Sequence, residues 1–179
     1  RKDVSTDGRR ATIAFSDDWR EDAARRDFTI NALYADPNTG EIFDYFNGVE
    51  DLKNAKVRFI GQASERIAED HLRIMRYFRF LARFGANNID DTAYAACQKQ
   101  SNNLMALSRE RIADELIKLL KLENPLSAIE LMINGNIFAP IIPEIKPDAL
   151  TNLQSLNSID DESCCLKLML KTVVLSHLS

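Results

Sequence analysis

Glu69-Asp-His-Leu-Arg-Ile-Met-Arg-Tyr-Phe-Arg-Phe-Leu-Ala-Arg-Phe-Gly85 is the stretch whose reading decides the fold. It lies in Ser64–Phe84, an amphipathic segment that predicts one long helix stopped by Gly85 as a C′ glycine. At 3.6 residues per turn, Arg73, Arg76, Arg79 and Arg83 fall on one side, within roughly a third of the circumference. Ile74, Tyr77, Phe78, Leu81 and Phe84 fall opposite. Four Arg on one face with few acidic partners repel one another, and ordinary surface helices intersperse Glu to avoid that. A polyanion such as a nucleoside triphosphate laid on the face would relieve the repulsion. Asp70 and Arg73, at i and i+3, can set a carboxylate acceptor beside guanidinium donors and so imitate the edge of a complementary base. The same spacing also fits a solvated basic helix packed by its aromatic face.

Before this stretch the elements are short and mixed. Residues 11–15 read as a strand, with Asp18 as the N-cap of the next element and Glu21 completing a capping box. Residues 22–34 carry a helical pattern. Thr39-Gly40 and Asn47-Gly48 are turn signals, 41–45 and 57–60 read as strands, and 49–54 as a short helix. After residue 62 almost only helical periodicity appears. Expected helices run over 90–99, 108–122 with Ser108 as cap, and 126–134 behind Asn124-Pro125 and closed by Gly135. Two more are expected near 148–156 and 160–176, beyond the Pro140/Pro143/Pro147 breaks.

Composition fits a packed globular chain: 179 residues, 45% hydrophobic and 28% charged. No apolar run approaches the ~20 residues needed to span a bilayer, so no membrane association is expected. The net charge of -4 argues against a generally basic nucleic-acid binder, but all 14 Arg lie at or before Arg111. An anionic ligand would therefore bind the first two thirds. Cys97, Cys164 and Cys165 give no disulfide framework and fit reduced thiols in a cytoplasmic protein. His71 and His177 are far apart and there is no Cys-x-x-Cys, which disfavours zinc. The opening at Arg1 and the apolar stretch before Ser179 suggest a piece of a longer protein.

Three further constellations could carry chemistry. In Arg25-Arg-Asp-Phe-Thr-Ile-Asn-Ala-Leu33, Asp27 and Asn31 stand one helical turn apart, and a mid-helix Asn implies a partner for its amide. Arg26 could hold a phosphate or ribose hydroxyl. Alternatively Asp27 caps the helix and Asn31 bonds nearby backbone. In Ser108-Arg-Glu-Arg-Ile-Ala-Asp-Glu-Leu116, the i, i+4 pairs Glu110/Asp114 and Arg111/Glu115 read as a charged helix start, a structural role. Asp44, in Glu41-Ile-Phe-Asp-Tyr-Phe-Asn-Gly48, reads as part of a structural bend. There is no Gly-rich phosphate loop. No Asp-x-Asp supplies the adjacent carboxylates of a two-metal site. Asp160 and Glu162 share that spacing but read as helix caps.

At these residues the chain resembles the class II tRNA nucleotidyltransferase/bacterial poly(A) polymerase family. Residues 25–33 look like its motif B, and Asp44–Gly48 with Asp51-Leu52 like motif C. Glu69-Asp-His-Leu-Arg73 with Arg76 and Arg79 looks like motif D, and 108–116 like motif E. Thr6-Asp-Gly-Arg-Arg-Ala11 resembles the strand-turn before motif B. The resemblance is good from residue 1 to about 145 and loose beyond.

The resemblance implies an α+β, mostly α fold: the C-terminal part of a polymerase-β-like nucleotidyltransferase head, then an all-helical neck and body. Residues 1–61 would be the partial head, 62–124 the neck with its templating helix, and 125–179 the start of the body. Asp70 and Arg73 would hydrogen-bond the Watson–Crick edge of CTP or ATP. Arg76 and Arg79 would support that template or bind nucleotide, Arg26 would contact nucleotide, and Asp27 and Asn31 would line the ribose side. The implied reaction is attack of the tRNA 3′-hydroxyl on the α-phosphate with Mg²⁺, whose ligands the resemblance puts before Arg1. This chain alone would then catalyse nothing. A poly(A) polymerase, or an enzyme adding only CC or only A, is a close alternative. A non-catalytic helical RNA-binding protein is an alternative of another class.

Overall fold

A computed structural model describes residues 2–7, 10–14, 18–85, 88–143 and 145, with side chains from Asp18 onward. The expected helices near 148–156 and 160–176 lie outside the described residues, as do Cys164, Cys165, Asp160, Glu162 and His177.

Among the described residues two separate antiparallel ribbons make up the β part. Strand β1 (Lys2–Asp7) pairs with β2 (Arg10–Ala14), with a register shift between Asp3 and Thr6. After helix α1 (Trp19–Ala24), β3 (Leu33–Ala35) pairs with β4 (Ile42–Asp44), placing Tyr34 opposite Phe43. Helix α2 (Gly48–Lys53) comes after the Asn47-Gly48 turn. Among the described residues after Lys53 the regular elements are helical: α3 (Ala63–Glu69), α4 (Leu72–Phe84), α5 (Asp91–Gln100), α6 (Arg109–Leu120) and α7 (Leu126–Asn134). The fold is α+β and mostly α, as expected. Among the described residues no helix is long and apolar enough to cross a membrane.

Capping follows the sequence closely. Asp18 accepts from the backbone N–H of Arg20 at 2.8 Å and caps α1. Asp90 accepts from Thr92 and Ala93 at the start of α5, and Ser108 from Arg111 at the start of α6. Each satisfies N–H groups that a helix start leaves without an intrahelical partner.

Three expected elements fail, two because tertiary pairing overrides local pattern and one because a side chain offers the backbone another partner. The helix expected over 22–34 ends at Ala24. Phe28 is extended and forms an antiparallel bridge with Phe59, with Thr29 donating to the Arg58 carbonyl at 3.0 Å and Ile60 to the Asp27 carbonyl at 3.0 Å. Residues 29–31 are then a single 3₁₀ turn. The strand expected at 57–60 is reduced to that same bridge. The long helix expected over 64–84 is broken at Asp70, whose backbone is extended (φ -153°, ψ 108°). Its carboxylate accepts the Leu72 N–H at 3.1 Å, offering the chain an alternative to helix continuation. The apolar periodicity survives because α4 resumes two residues later. Gly85 stops α4, but with φ -155° and not as a left-handed C′ residue. Its requirement is space: a Cβ there would lie 2.4 Å from the Ala55 carbonyl oxygen.

One apolar core runs through the α-helical part and reaches back to the bridge. Phe28, Val57 and Phe59 join Ile74, Tyr77, Phe78 and Leu81 of α4, then Leu116 and Leu119 of α6, and Ile129 and Met132 of α7. Phe59 and Tyr77 stack with centroids 5.6 Å apart. Helix α4 lies between the bridge on one side and α6 and α7 on the other.

Candidate nucleotide-binding site

Packing of α4 leaves its Arg face directed at carboxylates from other elements. Arg73 donates from Nη1 to Glu69 at 2.6 Å and to the Arg66 carbonyl at 2.7 Å. Arg76 donates from Nε to Asp27 at 2.5 Å. Arg79 donates from Nε to Glu115 of α6 at 2.7 Å. Arg83 lies over the Phe84 ring at 5.2 Å. The expectation of a mutually repelling face with few acidic partners is therefore corrected. Acids 4, 49 and 36 residues away in sequence pair with three of the four Arg. Glu69 lies within the segment at i, i+4, but helical periodicity in that segment could not show Asp27 or Glu115.

Asp27 is 5% exposed. Its Oδ1 accepts the Phe28 N–H at 3.0 Å and the Asn31 amide at 2.9 Å, while Oδ2 takes Arg76. Asp27 and Asn31 thus meet as expected, although across a 3₁₀ turn and not along an α-helix. Burial pushes the Asp27 carboxyl up, but the Arg76 guanidinium and the Asn31 amide outweigh it, and its pKa lies below the ordinary carboxylate value.

Arg26 is half-exposed and donates to Asp22 from Nη2 at 3.1 Å. The same carboxylate receives Arg25 and the Tyr34 hydroxyl, the latter at 2.5 Å. The Tyr34 hydrogen bond, then Arg25 and Arg26, hold Asp22 well below the usual carboxylate range against the opposing effect of burial. Arg66 links this group to the helices. Its Nη2 donates to the Arg26 carbonyl at 2.5 Å and its Nη1 to Glu69 at 2.7 Å. Burial raises the Glu69 pKa, but Arg73 and Arg66 lower it further than burial raises it.

Asp70 and Arg73 stand at the α3–α4 break, each with its own partner. Asp70 takes Arg111 Nη2 at 3.0 and 3.2 Å, and Arg73 takes Glu69. Glu115 is 3% exposed and also accepts from Lys118 at 3.2 Å. The i, i+4 role expected for Arg111 and Glu115 is thereby replaced by links to α3–α4. Asp44 accepts the backbone N–H groups of Phe46, Gly48 and Val49, as its bend reading expects. Burial opposes ionisation of Asp44, and these amides lower its pKa overall.

Reasoning from sequence missed Asp22, Arg66 and Glu115. Glu115 had a signal: it stands on the apolar face of α6 with Ile112, Leu116 and Leu119, where a carboxylate requires a cation. Asp22 had its i+3 and i+4 Arg neighbours. Arg66 had only Glu69 at i+3.

The arrangement presents the guanidiniums of Arg26 and Arg73, each shared with a carboxylate, and sets an acceptor and a donor at one helix junction. Family models match on both sides of that junction: "Poly A polymerase head domain" over residues 1–58, and "Probable RNA and SrmB- binding site of polymerase A" over residues 88–148. The chain belongs to the tRNA nucleotidyltransferase/poly(A) polymerase family. The mitochondrial CCA tRNA nucleotidyltransferase 1 of Mus musculus is 42% identical over 161 residues, 89% of this chain and 36% of the relative. The CCA-adding enzyme of Streptococcus uberis is 42% identical over 124 residues, 69% of this chain and 30% of the relative. The Bacillus stearothermophilus CCA-adding enzyme in complex with CTP superposes with a TM-score of 0.64 at 33% identity, over 69% of this chain and 31% of that one. The Thermotoga maritima CCA-adding enzyme complexed with tRNA gives 0.62 at 30% identity, over 70% and 31%. The chain thus spans about a third of the length of these family members.

Proposed function

We propose that the protein carrying this chain is a template-independent RNA nucleotidyltransferase that adds or repairs the 3′-terminal CCA of tRNA from CTP and ATP. The supporting observation is the α3–α4 junction, where Asp70 offers carboxylate oxygens and Arg73 guanidinium donors three residues apart. Cytosine and adenine both carry an amino donor where uracil and guanine carry a carbonyl acceptor. An Asp70 acceptor beside an Arg73 donor would accept the first pair and repel the second. Arg26 and Arg76 would steady the phosphates and ribose, with Asp27, itself braced by the Asn31 amide, holding Arg76. Arg79, pinned to Glu115, would support the template from behind.

Residues 1–61 would serve as part of the head, 62–124 as the neck and 125–179 as the start of the body. The two family models leave residues 59–87 between them, and that interval holds the α3–α4 junction.

Such a reaction would use Mg²⁺, but the described residues do not fit the ion. They contain no group of three or more His, Cys, Asp or Glu suited to a metal. Asp22, Asp27, Asp51, Asp70 and Glu115 are each occupied by an Arg. The buried Cys97 thiol fits a compartment that keeps thiols reduced, whether cytoplasm or mitochondrion.

The test is incubation of the full-length protein with tRNA lacking CCA and each nucleotide in turn. Addition of two C and then one A is expected. Growth of an A tail regardless of CTP would overturn CCA addition in favour of poly(A) synthesis, and nucleotide-indifferent RNA binding without addition would favour a non-catalytic protein.

A further inference from the structure

Arg111 occupies the Asp70 carboxylate from a different helix. It sits in the first turn of α6, 41 residues along the chain, and its Nη2 lies 3.0 Å from Oδ2 and 3.2 Å from Oδ1. The placement is poor for the helix itself, because a cation in the first turn opposes the macrodipole. Nor is the pair a strong element of stability, since Arg111 is 49% and Asp70 37% exposed and exposed ion pairs contribute little. What the contact does fix is direction. Asp70 lies outside both helices, on extended backbone, and its carboxylate otherwise accepts the backbone N–H of Leu72. Held by that hydrogen bond alone, the carboxylate could rotate about it. With Arg111, two elements hold the oxygens, and the side chain stays 37% exposed. Arg73 has a counterpart anchor in Glu69.

We infer that Arg111 is a specificity-determining positioning residue, acting through Asp70 to aim the acceptor that selects the base. The inference rests on the proposed base-reading role of Asp70. It links α6 to nucleotide choice: a shift of α6 relative to the α3–α4 junction re-aims Asp70 without altering the residues that contact the triphosphate.

The experiment uses the full-length protein, tRNA lacking CCA, and kcat/KM for CTP and for UTP. It compares Arg111→Ala, Arg111→Lys, Asp70→Ala and the double variant. Arg111→Ala is expected to lower the CTP/UTP ratio on the order of tenfold, since one well-formed base contact carries discrimination of that size. Arg111→Lys should recover part of it. In the Asp70→Ala background, Arg111→Ala should lower the ratio no further, the non-additivity of residues acting as a unit. A ratio unchanged by Arg111→Ala but lost in Asp70→Ala overturns the role of Arg111 and leaves base reading intact. A uniform fall in kcat for both nucleotides, at constant ratio, makes Arg111 merely structural and also overturns it. Additive losses in the double variant would mean that Arg111 touches the base itself, which overturns a role exerted through Asp70. A ratio unchanged in Asp70→Ala rejects the base-reading proposal.

Discussion

Arg76 and Asp27 join residues 49 positions apart through a 2.5 Å Nε–Oδ2 contact that ties α4 to the segment between α1 and β3. Asp27 is 5% exposed, and two further donors complete its carboxylate. Breaking such a pair leaves a charge with no partner in a poorly solvated place. Arg76→Ala is expected to destabilise by roughly 3 kcal/mol, the lower end for a buried pair because Arg76 keeps some solvent. Urea unfolding of the full-length protein measures it, and a loss under about 1 kcal/mol would mean that the pair is solvent-screened.

The carboxylates of Asp22, Asp27, Asp44 and Glu69 all have folded pKa values below their ordinary ones. A depressed folded pKa means that the unfolded chain binds protons first as pH falls, so stability rises with pH across that interval. Their contribution is fully present above the ordinary values of 3.8 and 4.5 and is lost as pH drops through the folded ones. Urea midpoints should therefore be flat from about pH 7 to about 5 and fall steeply below about 4. A wild-type midpoint that stays flat down to about pH 3 would count against these assignments.

Glu115 and Arg79 form a second link, between α4 and α6, with Glu115 3% and Arg79 16% exposed. Glu115→Ala should cost about 3–5 kcal/mol, because it strands a guanidinium. Replacing both residues by Leu should recover much of that loss, since an apolar pair of similar volume carries no desolvation cost. Chemical unfolding of the two variants decides the point: equal losses would show that cavity formation, and not charge, is the main effect.

Close backbone approach sets a third kind of constraint. A Cβ on Gly48 would stand 2.3 Å from the Thr29 carbonyl oxygen, and one on Gly85 2.4 Å from that of Ala55. Both obstacles are backbone and cannot swing away. Gly48→Ala and Gly85→Ala should each destabilise by more than about 2 kcal/mol, beyond an ordinary surface substitution. Thermal unfolding would show a lowered Tm for both; wild-type values would mean that the turns relax at little cost.

These features differ in how far a sequence can disclose them. The caps Asp18 and Ser108 were legible because a cap acts on N–H groups two or three residues away. The helices α4, α5, α6 and α7 were legible because their apolar stripes repeat every turn. The break at Asp70 was not, since the stripe passes through it in phase. Nor was the Phe28–Phe59 bridge, which converts a helical pattern at 25–31 into an extended one by pairing with a segment distant in the chain. The site residues were named from their motifs, but their anchors Asp27–Arg76, Glu115–Arg79 and Arg111–Asp70 cross between elements. No local spacing encodes such pairs. Only Glu115, a charge on an apolar face, announced that a distant partner must exist.

Nucleotide affinity should carry the signature of the Arg residues that remain accessible. Arg26 is 45% exposed, and Arg73 and Arg76 are 15% and 28% exposed, each already sharing a carboxylate. On the proposed nucleotide-binding role, a triphosphate would compete with Asp22, Glu69 and Asp27 for these guanidiniums, and the net attraction would be the difference between two ionic contacts. Such a difference is screened by salt in proportion to how exposed the contacts are, with a Debye length of about 10 Å at about 0.1 M. CTP binding to the full-length protein, measured by titration calorimetry, should weaken several-fold between about 0.05 and 0.5 M salt. Arg26→Ala, which removes a proposed phosphate contact, should weaken CTP and ATP together and flatten the salt dependence, whereas Arg73→Ala should weaken both and leave the salt dependence in place. An affinity insensitive to salt would mean that base contacts, and not phosphate contacts, dominate binding.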